Sequence, residues 1–159
     1  MADTTDGRAL MLPALMLYDG LCGFCQWSVR WVVKRDWNDR FRFVPQQSAL
    51  GQAVLARHGV DREATLADNS VYLVLDYDGD YDAEIGSSNE RLLIRSDVTV
   101  KVLLLLGGFW GFLGKLLRAV PKPLRDGGYA LVSRNRFRIS KRYESCPLPS
   151  LAERAKFLA

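Results

Sequence analysis

The sequence predicts an α/β fold, with a mixed four-stranded sheet flanked by helices and extra helices at the C-terminal end. Three observations support this prediction. Short apolar runs alternate with amphipathic stretches in the N-terminal third, two apolar runs flank a turn-rich segment in the middle, and only helical patterns follow. The chain has 159 residues, of which 48% are hydrophobic and 25% charged, as is typical of one folded domain.

The first predicted strand and helix carry a pair of cysteines at their junction. Residues 11–17 form a short apolar run, which indicates a buried strand. From about 22 to 36, polar side chains recur at four-residue spacing among apolar ones; they are Gln26, Arg30 and Lys34. This spacing predicts a helix that is packed on most of its circumference.

A second strand and helix follow. Residues 41–44 alternate as a strand does, and Pro45 stops the run. Apolar residues then outline a helix over 49–57, which Gly59 ends. A strand–helix–strand unit requires parallel strands joined by a right-handed crossover.

The middle of the chain predicts an antiparallel strand pair. Residues 70–76 are almost entirely apolar, so both faces of this strand should be covered. Residues 77–90 are rich in turn formers but long for a hairpin turn, and residues 92–95 are predicted to be the returning strand. The hairpin adds antiparallel strands to the parallel start.

Only helices are predicted beyond this hairpin. Ser96 or Asp97 can cap the first of them. Further helical patterns lie at about 109–119 and 124–134, and the tail from Phe137 is predicted to be irregular.

The order β-α-β-α-β-β-α is that of the thioredoxin-like core. We therefore expect a single thioredoxin-like domain, with a core at about residues 12–107 and an appended helical segment at about 108–159.

Cys22 and Cys25 form a Cys-x-x-Cys motif where the first strand gives way to the first helix. Unsatisfied backbone N–H groups and the helix dipole stabilise a thiolate at a helix N-terminus and lower its pKa. The second cysteine, nearly one turn further on, can attack a mixed disulfide and release the substrate. This chemistry needs no metal or cofactor, and it predicts an enzyme that exchanges disulfides with protein or small-molecule thiols, such as a protein-disulfide reductase.

The positions of the two cysteines predict their roles. Cys22 precedes the helix body and should be the exposed nucleophile, whereas Cys25 points inward and should be the resolving thiol. Gly23 should let the backbone of a partner approach. Asp19 is the nearest ionisable group. It either caps the helix or accepts a proton, although a carboxylate near a thiolate would also raise the thiol pKa; the alternative is that it is only a turn residue.

Two alternative interpretations of the cysteine pair stay open. A structural zinc site usually has four ligands, and only Cys146 and His58 remain to complete one. The pair could also be two inert buried cysteines that fill space.

The C-terminal third is strongly basic. From Lys115 to Arg142 nine lysines and arginines accompany one acid, Asp126, which gives +8 for this stretch and −4 for the remainder of a chain whose formal net charge is +4. Such a stretch is either a solvated face or a surface for an anionic partner. The alternative function is therefore a non-enzymatic module that binds nucleic acid or anionic lipid.

Cysteine usage and the N-terminus predict a cytoplasmic protein. Three cysteines are too few for a disulfide-stapled scaffold, and their odd number fits a reducing compartment. Residues 1–10 lack the features of a signal peptide. The apolar stretch 98–120 is interrupted by charged residues, so two short helices explain it better than a membrane span.

Two segments resemble the DCC family of proposed thiol-disulfide oxidoreductases. They are YDGLCGFC at 18–25, which matches the family's Asp-x-x-Cys-x-x-Cys signature, and RDGGYALVSRNRFRI at 125–139, followed by CPLPS from Cys146. The resemblance covers roughly residues 14 to 150. It implies a thioredoxin-like fold, redox roles for Cys22 and Cys25, and Asp19 as the motif aspartate.

This shared resemblance of both ends leads to a hypothesis about the arginines near the C-terminus. Arg134 and Arg136 lie at the end of a predicted helix, where the dipole favours cations. Either this is their only role, or the appended helices fold back so that an arginine lowers the thiol pKa at Cys22. In the second case Cys146 lies near the sheet without being required for exchange.

Overall fold

The computed structural model describes residues 13–61, 71–76, 90–144 and 149–158. Four strands are present in this part of the chain: β1 (Ala14–Tyr18), β2 (Phe41–Pro45), β3 (Tyr72–Leu75) and β4 (Arg91–Ile94). The α-helices of the same part are α1 (Gly23–Val33), α2 (Ala49–Arg57), α3 (Ser96–Leu106), α4 (Gly108–Ala119) and α5 (Lys122–Ile139). A short 3₁₀ helix spans Arg154–Lys156.

The strands form one mixed sheet in the order β2-β1-β3-β4. Strand β1 pairs parallel with β2, which places Met16 opposite Phe43, and antiparallel with β3, which places Met16 opposite Leu73. Strand β4 pairs antiparallel with β3. The predicted mixed four-stranded sheet flanked by helices is confirmed, and its arrangement is consistent with a thioredoxin-like fold.

Both faces of the sheet are covered, so the inner strands are buried throughout. Met16, Phe43 and Leu73 pack in a cluster with apolar residues of α1 and α3. On the other face Leu17 and Val74 pack against the apolar side of α2. The prediction that the strand at 70–76 is covered on both faces is confirmed for the described residues 72–75.

The structure corrects three details of the helices. Gln26 is buried rather than part of an exposed polar stripe, and Trp27 is exposed instead. Helix α3 has no side-chain cap, because Arg95 occupies the capping position, and the Ser96 hydroxyl instead donates to Asp126 of α5. Helix α5 continues to Ile139, so the irregular tail predicted from Phe137 is wrong.

Helix α4 packs closely on α3 and leaves an apolar stripe exposed. Gly111 and Gly114 lie buried, and the Cα of Gly114 is so close to α3 that a Cβ there would lie 3.0 Å from Leu103 Cβ. The opposite face exposes Phe109, Phe112 and Leu116 at helical spacing. No helix of the described residues is long and apolar enough to cross a membrane.

Two features of the sequence lie outside the described residues. They are most of the turn-rich segment at 77–90 and the third cysteine, Cys146.

Candidate active site at the first helix

The turn after β1 places Cys22 at the N-terminus of α1. Asp19 holds this turn, since its Oδ1 accepts a hydrogen bond from the Leu21 N–H at 3.0 Å and its carbonyl oxygen accepts one from Cys22 at 3.2 Å. Cys22 is itself the capping residue of α1, with its Sγ accepting a hydrogen bond from the Cys25 N–H at 3.3 Å. Asp19 therefore holds the turn and does not cap the helix.

Cys25 follows one turn later on the inner side of α1. It is 3% exposed, and both thiols are free. The fixed contact between the Cys22 sulfur and the Cys25 backbone keeps the two side chains adjacent. Such adjacency is what the formation of a disulfide between them requires.

Arg136 of α5 completes the site from the opposite end of the chain. Its side chain is 2% exposed. One guanidinium nitrogen, Nη1, lies 3.7 Å from Cys25 Sγ, and Nη2 lies 3.6 Å from Asp19 Oδ2. The hypothesis that the appended helices fold back onto the cysteine loop is thus confirmed, and the arginine that lies there is Arg136.

The environment separates the two thiols in acidity. The hydrogen bond with the Cys25 side chain, helped by the Cys25 backbone N–H and the charge of Arg136, lowers the pKa of Cys22 to about 6, although burial and Asp19 oppose this. The same hydrogen bond, together with burial and the charge of Cys22, raises the pKa of Cys25. Near neutral pH the pair is therefore one thiolate and one thiol.

A segment after α5, residues 140–143, covers Cys22. The Gly23 N–H donates to the Lys141 carbonyl oxygen at 3.0 Å and the Tyr143 N–H donates to the Leu21 carbonyl oxygen at 2.7 Å. These bonds form an antiparallel bridge between Cys22 and Arg142. Cys22 is 0% exposed, so the expectation of an exposed nucleophile is wrong.

Gly23 makes this close approach sterically feasible. A Cβ at this position would lie 2.7 Å from the Lys141 carbonyl oxygen and would also overlap the Ser140 hydroxyl oxygen. The sequence predicts that Gly23 lets the backbone of a partner approach. In the structure, a segment of the same chain approaches Gly23 instead.

Glutamine side chains that the sequence analysis did not assign to the site also hold the cysteine loop. Gln47 donates to Asp19 Oδ1 at 2.7 Å and accepts from the Gly20 N–H at 3.1 Å. Gln26 is buried, and its side-chain amide donates to the Gly20 carbonyl oxygen. The residue types of Gln26 and Gln47 do not indicate a role at the site. Only the fold shows that Gln47 lies beside the cysteine loop.

A cavity of about 660 Å³ lies beside the site, and Cys25 and Arg136 form part of its wall. The remaining wall comes from α1, α3, the end of α4 and α5, together with Met16 and Val71 of the sheet region, and most of it is apolar.

The residues of the zinc alternative are not gathered in the described structure. His58 contacts Glu90 at 3.2 Å, and Glu90 also pairs with Arg57 at 2.7 Å, in a cluster at the end of α2. Within residues 13–61, 71–76, 90–144 and 149–158, no three His, Cys, Asp or Glu side chains come together as a metal site would require.

The fold and the site define a class of small α/β proteins that present a Cys-x-x-Cys pair at the start of the first helix. The chain belongs to the DCC1-like thiol-disulfide oxidoreductase family, whose sequence model matches residues 16–142. This membership supports a thiol-disulfide oxidoreductase role in general terms.

Two relatives are similar to this chain over most of its length. An uncharacterized protein of Bacillus subtilis, YuxK, is 28% identical over 144 residues, which is 91% of this chain and 93% of that protein. A chloroplastic DCC family protein of Arabidopsis thaliana is 31% identical over 134 residues, which is 84% of this chain and 69% of that protein. No solved structure gives a significant match.

Proposed function

We propose that the protein exchanges disulfides with protein or small-molecule thiols, using Cys22 as the nucleophile and Cys25 as the resolving thiol of a thioredoxin-like fold. One observation carries the proposal. The Cys22 sulfur caps α1, accepts the Cys25 N–H, and has a pKa lowered to about 6, so it is a thiolate at neutral pH.

The proposed cycle has two exchange steps. The Cys22 thiolate attacks one sulfur of a substrate disulfide, forms a mixed disulfide, and releases the other sulfur as a thiolate. Cys25 then loses its proton and attacks the Cys22 sulfur, which forms the Cys22–Cys25 disulfide and releases the reduced substrate. We assign the acceptance of this proton to Asp19, whose negative charge acts on both sulfurs.

Arg136 has the opposite electrostatic effect in this cycle. Its charge favours a thiolate at either cysteine, and it approaches Asp19 on its other side. Because residues 140–143 cover Cys22, attack on a protein disulfide requires this segment to move away first.

Trapping of the mixed disulfide tests the proposal. The Cys25→Ser variant, incubated with an excess of a small disulfide, should retain one substrate half per chain through Cys22, because no resolving thiol remains. The matched control, Cys22→Ser, should retain far less, since burial still raises the pKa of Cys25 when Cys22 is absent. Mass spectrometry of the intact chain measures both. Equal labelling of the two variants, or none of either, would contradict the assigned roles.

Binding to an anionic lipid surface is a second candidate function, which one observation favours. Helix α4 exposes Phe109, Phe112 and Leu116 on one face, and Lys115 and Arg118 are exposed beside them. Apolar side chains flanked by cations are typical of helices that lie in a membrane interface. The nucleic-acid alternative stays a prediction from charge alone.

Co-sedimentation with vesicles tests the lipid surface. The chain should sediment with vesicles that contain phosphatidylglycerol and less with vesicles of phosphatidylcholine only, because the cations add an electrostatic term. Leu116→Glu should weaken sedimentation several-fold, whereas Leu151→Glu, an exposed site outside α4, should not. If Leu116→Glu sediments with the vesicles as the unmodified protein does, the exposed face of α4 is not the lipid-binding surface.

The cytoplasmic location and the single-domain organisation stay predictions from the sequence.

A further inference from the structure

The cavity next to Cys25 has the properties of a small-molecule site. We propose that it binds a neutral quinone, and that the quinone oxidises the Cys22–Cys25 dithiol to its disulfide. This inference rests on the proposed function, since it assigns an electron acceptor to the same pair.

The size and the walls of the cavity fit an apolar ring compound. Its volume of about 660 Å³ lies within the range of about 300–1,000 Å³ that is typical of small-molecule sites. Apolar side chains from four helices line it, including Trp31, Val102, Leu117 and Leu124, and Val120 joins them from the link between α4 and α5.

The polar groups of the wall favour a ligand with acceptor oxygens. The guanidinium of Arg136 and the hydroxyl of Ser133 are among them, whereas the Ser28 hydroxyl already donates to the Phe24 carbonyl oxygen and no carboxylate is among the described lining residues. A guanidinium and a hydroxyl both donate hydrogen bonds, which a quinone carbonyl oxygen accepts.

Existing ion pairs favour a neutral ligand over an anionic one. Arg136 already lies 3.6 Å from Asp19, and Arg125, the other arginine of the wall, lies 3.4 Å from Asp97. A carboxylate ligand would have to compete with these partners after losing its own hydration. A neutral carbonyl oxygen loses far less hydration free energy on entering the cavity and does not have to displace the carboxylate partners.

The two sulfurs are approached from different sides. Cys25 lines the cavity, whereas Cys22 lies under residues 140–143. A planar ring in the cavity therefore reaches the pair without displacing the segment that covers Cys22. A folded protein is too large for a cavity of this volume, so the cavity side suits a small oxidant.

The proposed step is a two-electron transfer. The Cys25 sulfur adds to a ring carbon of the quinone, forming an S–C bond, while its proton passes to a quinone oxygen. The Cys22 thiolate attacks the Cys25 sulfur, so that the S–S bond forms and the S–C bond breaks. The electron pair leaves with the ring, which takes one proton from solvent and becomes a hydroquinone.

The test follows anaerobic oxidation of the reduced, full-length protein by 2,3-dimethyl-1,4-naphthoquinone, whose substituents disfavour a stable thiol adduct. Quinone absorbance and a count of free thiols should show one hydroquinone for each disulfide formed, with a rate that saturates as the quinone concentration rises. A rate that stays linear in quinone, or thiol loss without a disulfide, would overturn the inference.

Variants that fill the cavity test its role. Leu124→Trp and, on α3, Thr99→Trp replace exposed residues of the wall and should lower the second-order rate about tenfold by excluding the ring. Leu131→Trp, an exposed position of α5 outside the wall, is the matched control and should behave as the unmodified protein does. Thermal unfolding verifies that each variant is folded. Equal rates in all three would overturn the inference.

A separate measurement distinguishes the two proposals. The unmodified protein is oxidised with glutathione disulfide in place of the quinone. Rapid oxidation by the disulfide but non-saturating oxidation by the quinone would contradict the quinone site and leave the exchange function intact. Failure of oxidation by the disulfide would contradict the exchange function itself.

Discussion

Arg136 lies 111 positions after Cys25 in the sequence, yet their side chains are in contact. This separation in sequence limits which site residues could be predicted from local patterns. Cys22, Cys25 and Asp19 lie within one short motif, so spacing and residue type were enough to select them. Nothing local selects Arg136 over Arg134, and only the family resemblance of both segments suggested that an arginine joins the site. The burial of Cys22 could not be predicted, because residues distant in sequence cover it.

The ionisation of Cys22 gives a prediction at this scale. Thiolate absorbance of the reduced protein should titrate with a midpoint near pH 6, because the Cys25 hydrogen bond and the Arg136 charge favour the thiolate. Arg136→Ala should raise the midpoint by roughly one pH unit, since a positive charge that lowers a thiol pKa is lost. Arg136→Lys, which keeps the charge, should move it less.

Absorbance is the appropriate measurement because it does not depend on access to a buried sulfur. Cys22→Ser should abolish the transition and so identify the group that titrates. An identical midpoint in Arg136→Ala and in the unmodified protein would mean that Arg136 only fills space.

At the scale of elements, the segment 140–143 acts as a cover that is attached to the end of α5. Its two backbone hydrogen bonds to Leu21 and Gly23 are the contacts that must break for Cys22 to become accessible. The helix was predicted from its pattern, but its end was placed too early, because residues 135–139 continue α5 up to the point where the cover begins. Helix length could be estimated from the sequence only where a proline or glycine marks the end.

Gly23→Ala should open this cover. The added methyl group would overlap the Lys141 carbonyl oxygen, and two backbone hydrogen bonds are worth about 1–3 kcal/mol together. Alkylation of Cys22 by iodoacetamide at a pH above its pKa should therefore accelerate about tenfold or more. Gly127→Ala, at an exposed α5 position with no atom near its added Cβ, is the matched control. Identical rates in both variants would show that the segment does not limit access.

At the scale of the whole molecule, local sequence patterns are sufficient to predict the sheet but not to predict the cavity. Each strand forms an apolar run that is visible by itself, and the strand–helix–strand start fixes the parallel pair. The cavity wall combines residues of α1, α3, α4 and α5, and its existence depends on how those helices are spaced. No pattern within a single helix carries that information.

The central position of β3 gives a stability prediction. Leu73 is fully buried between Met16 and Leu93 in the sheet and packs in the cluster under α1 and α3. Leu73→Ala should lower the free energy of unfolding by about 2–5 kcal/mol, because it removes buried methyl groups and leaves a cavity. Leu131→Ala, at an exposed position, should change it by less than about 0.5 kcal/mol. Urea unfolding measures both, and a small effect at Leu73 would mean that the core is misplaced.

The pairing of residues 21–23 with residues 141–143 has a consequence for biosynthesis. Translation is vectorial, so the cysteine motif leaves the ribosome long before the residues that supply its guanidinium and its cover. On a nascent chain that has not yet exposed Arg136, the Cys22 thiol lacks the positive charge that helps to lower its pKa, and residues 141–143 are not yet paired beside it. Docking of the C-terminal helix therefore adds one charge that favours the thiolate at both sulfurs, which completes the lowering of the Cys22 pKa and partly offsets the raising of the Cys25 pKa.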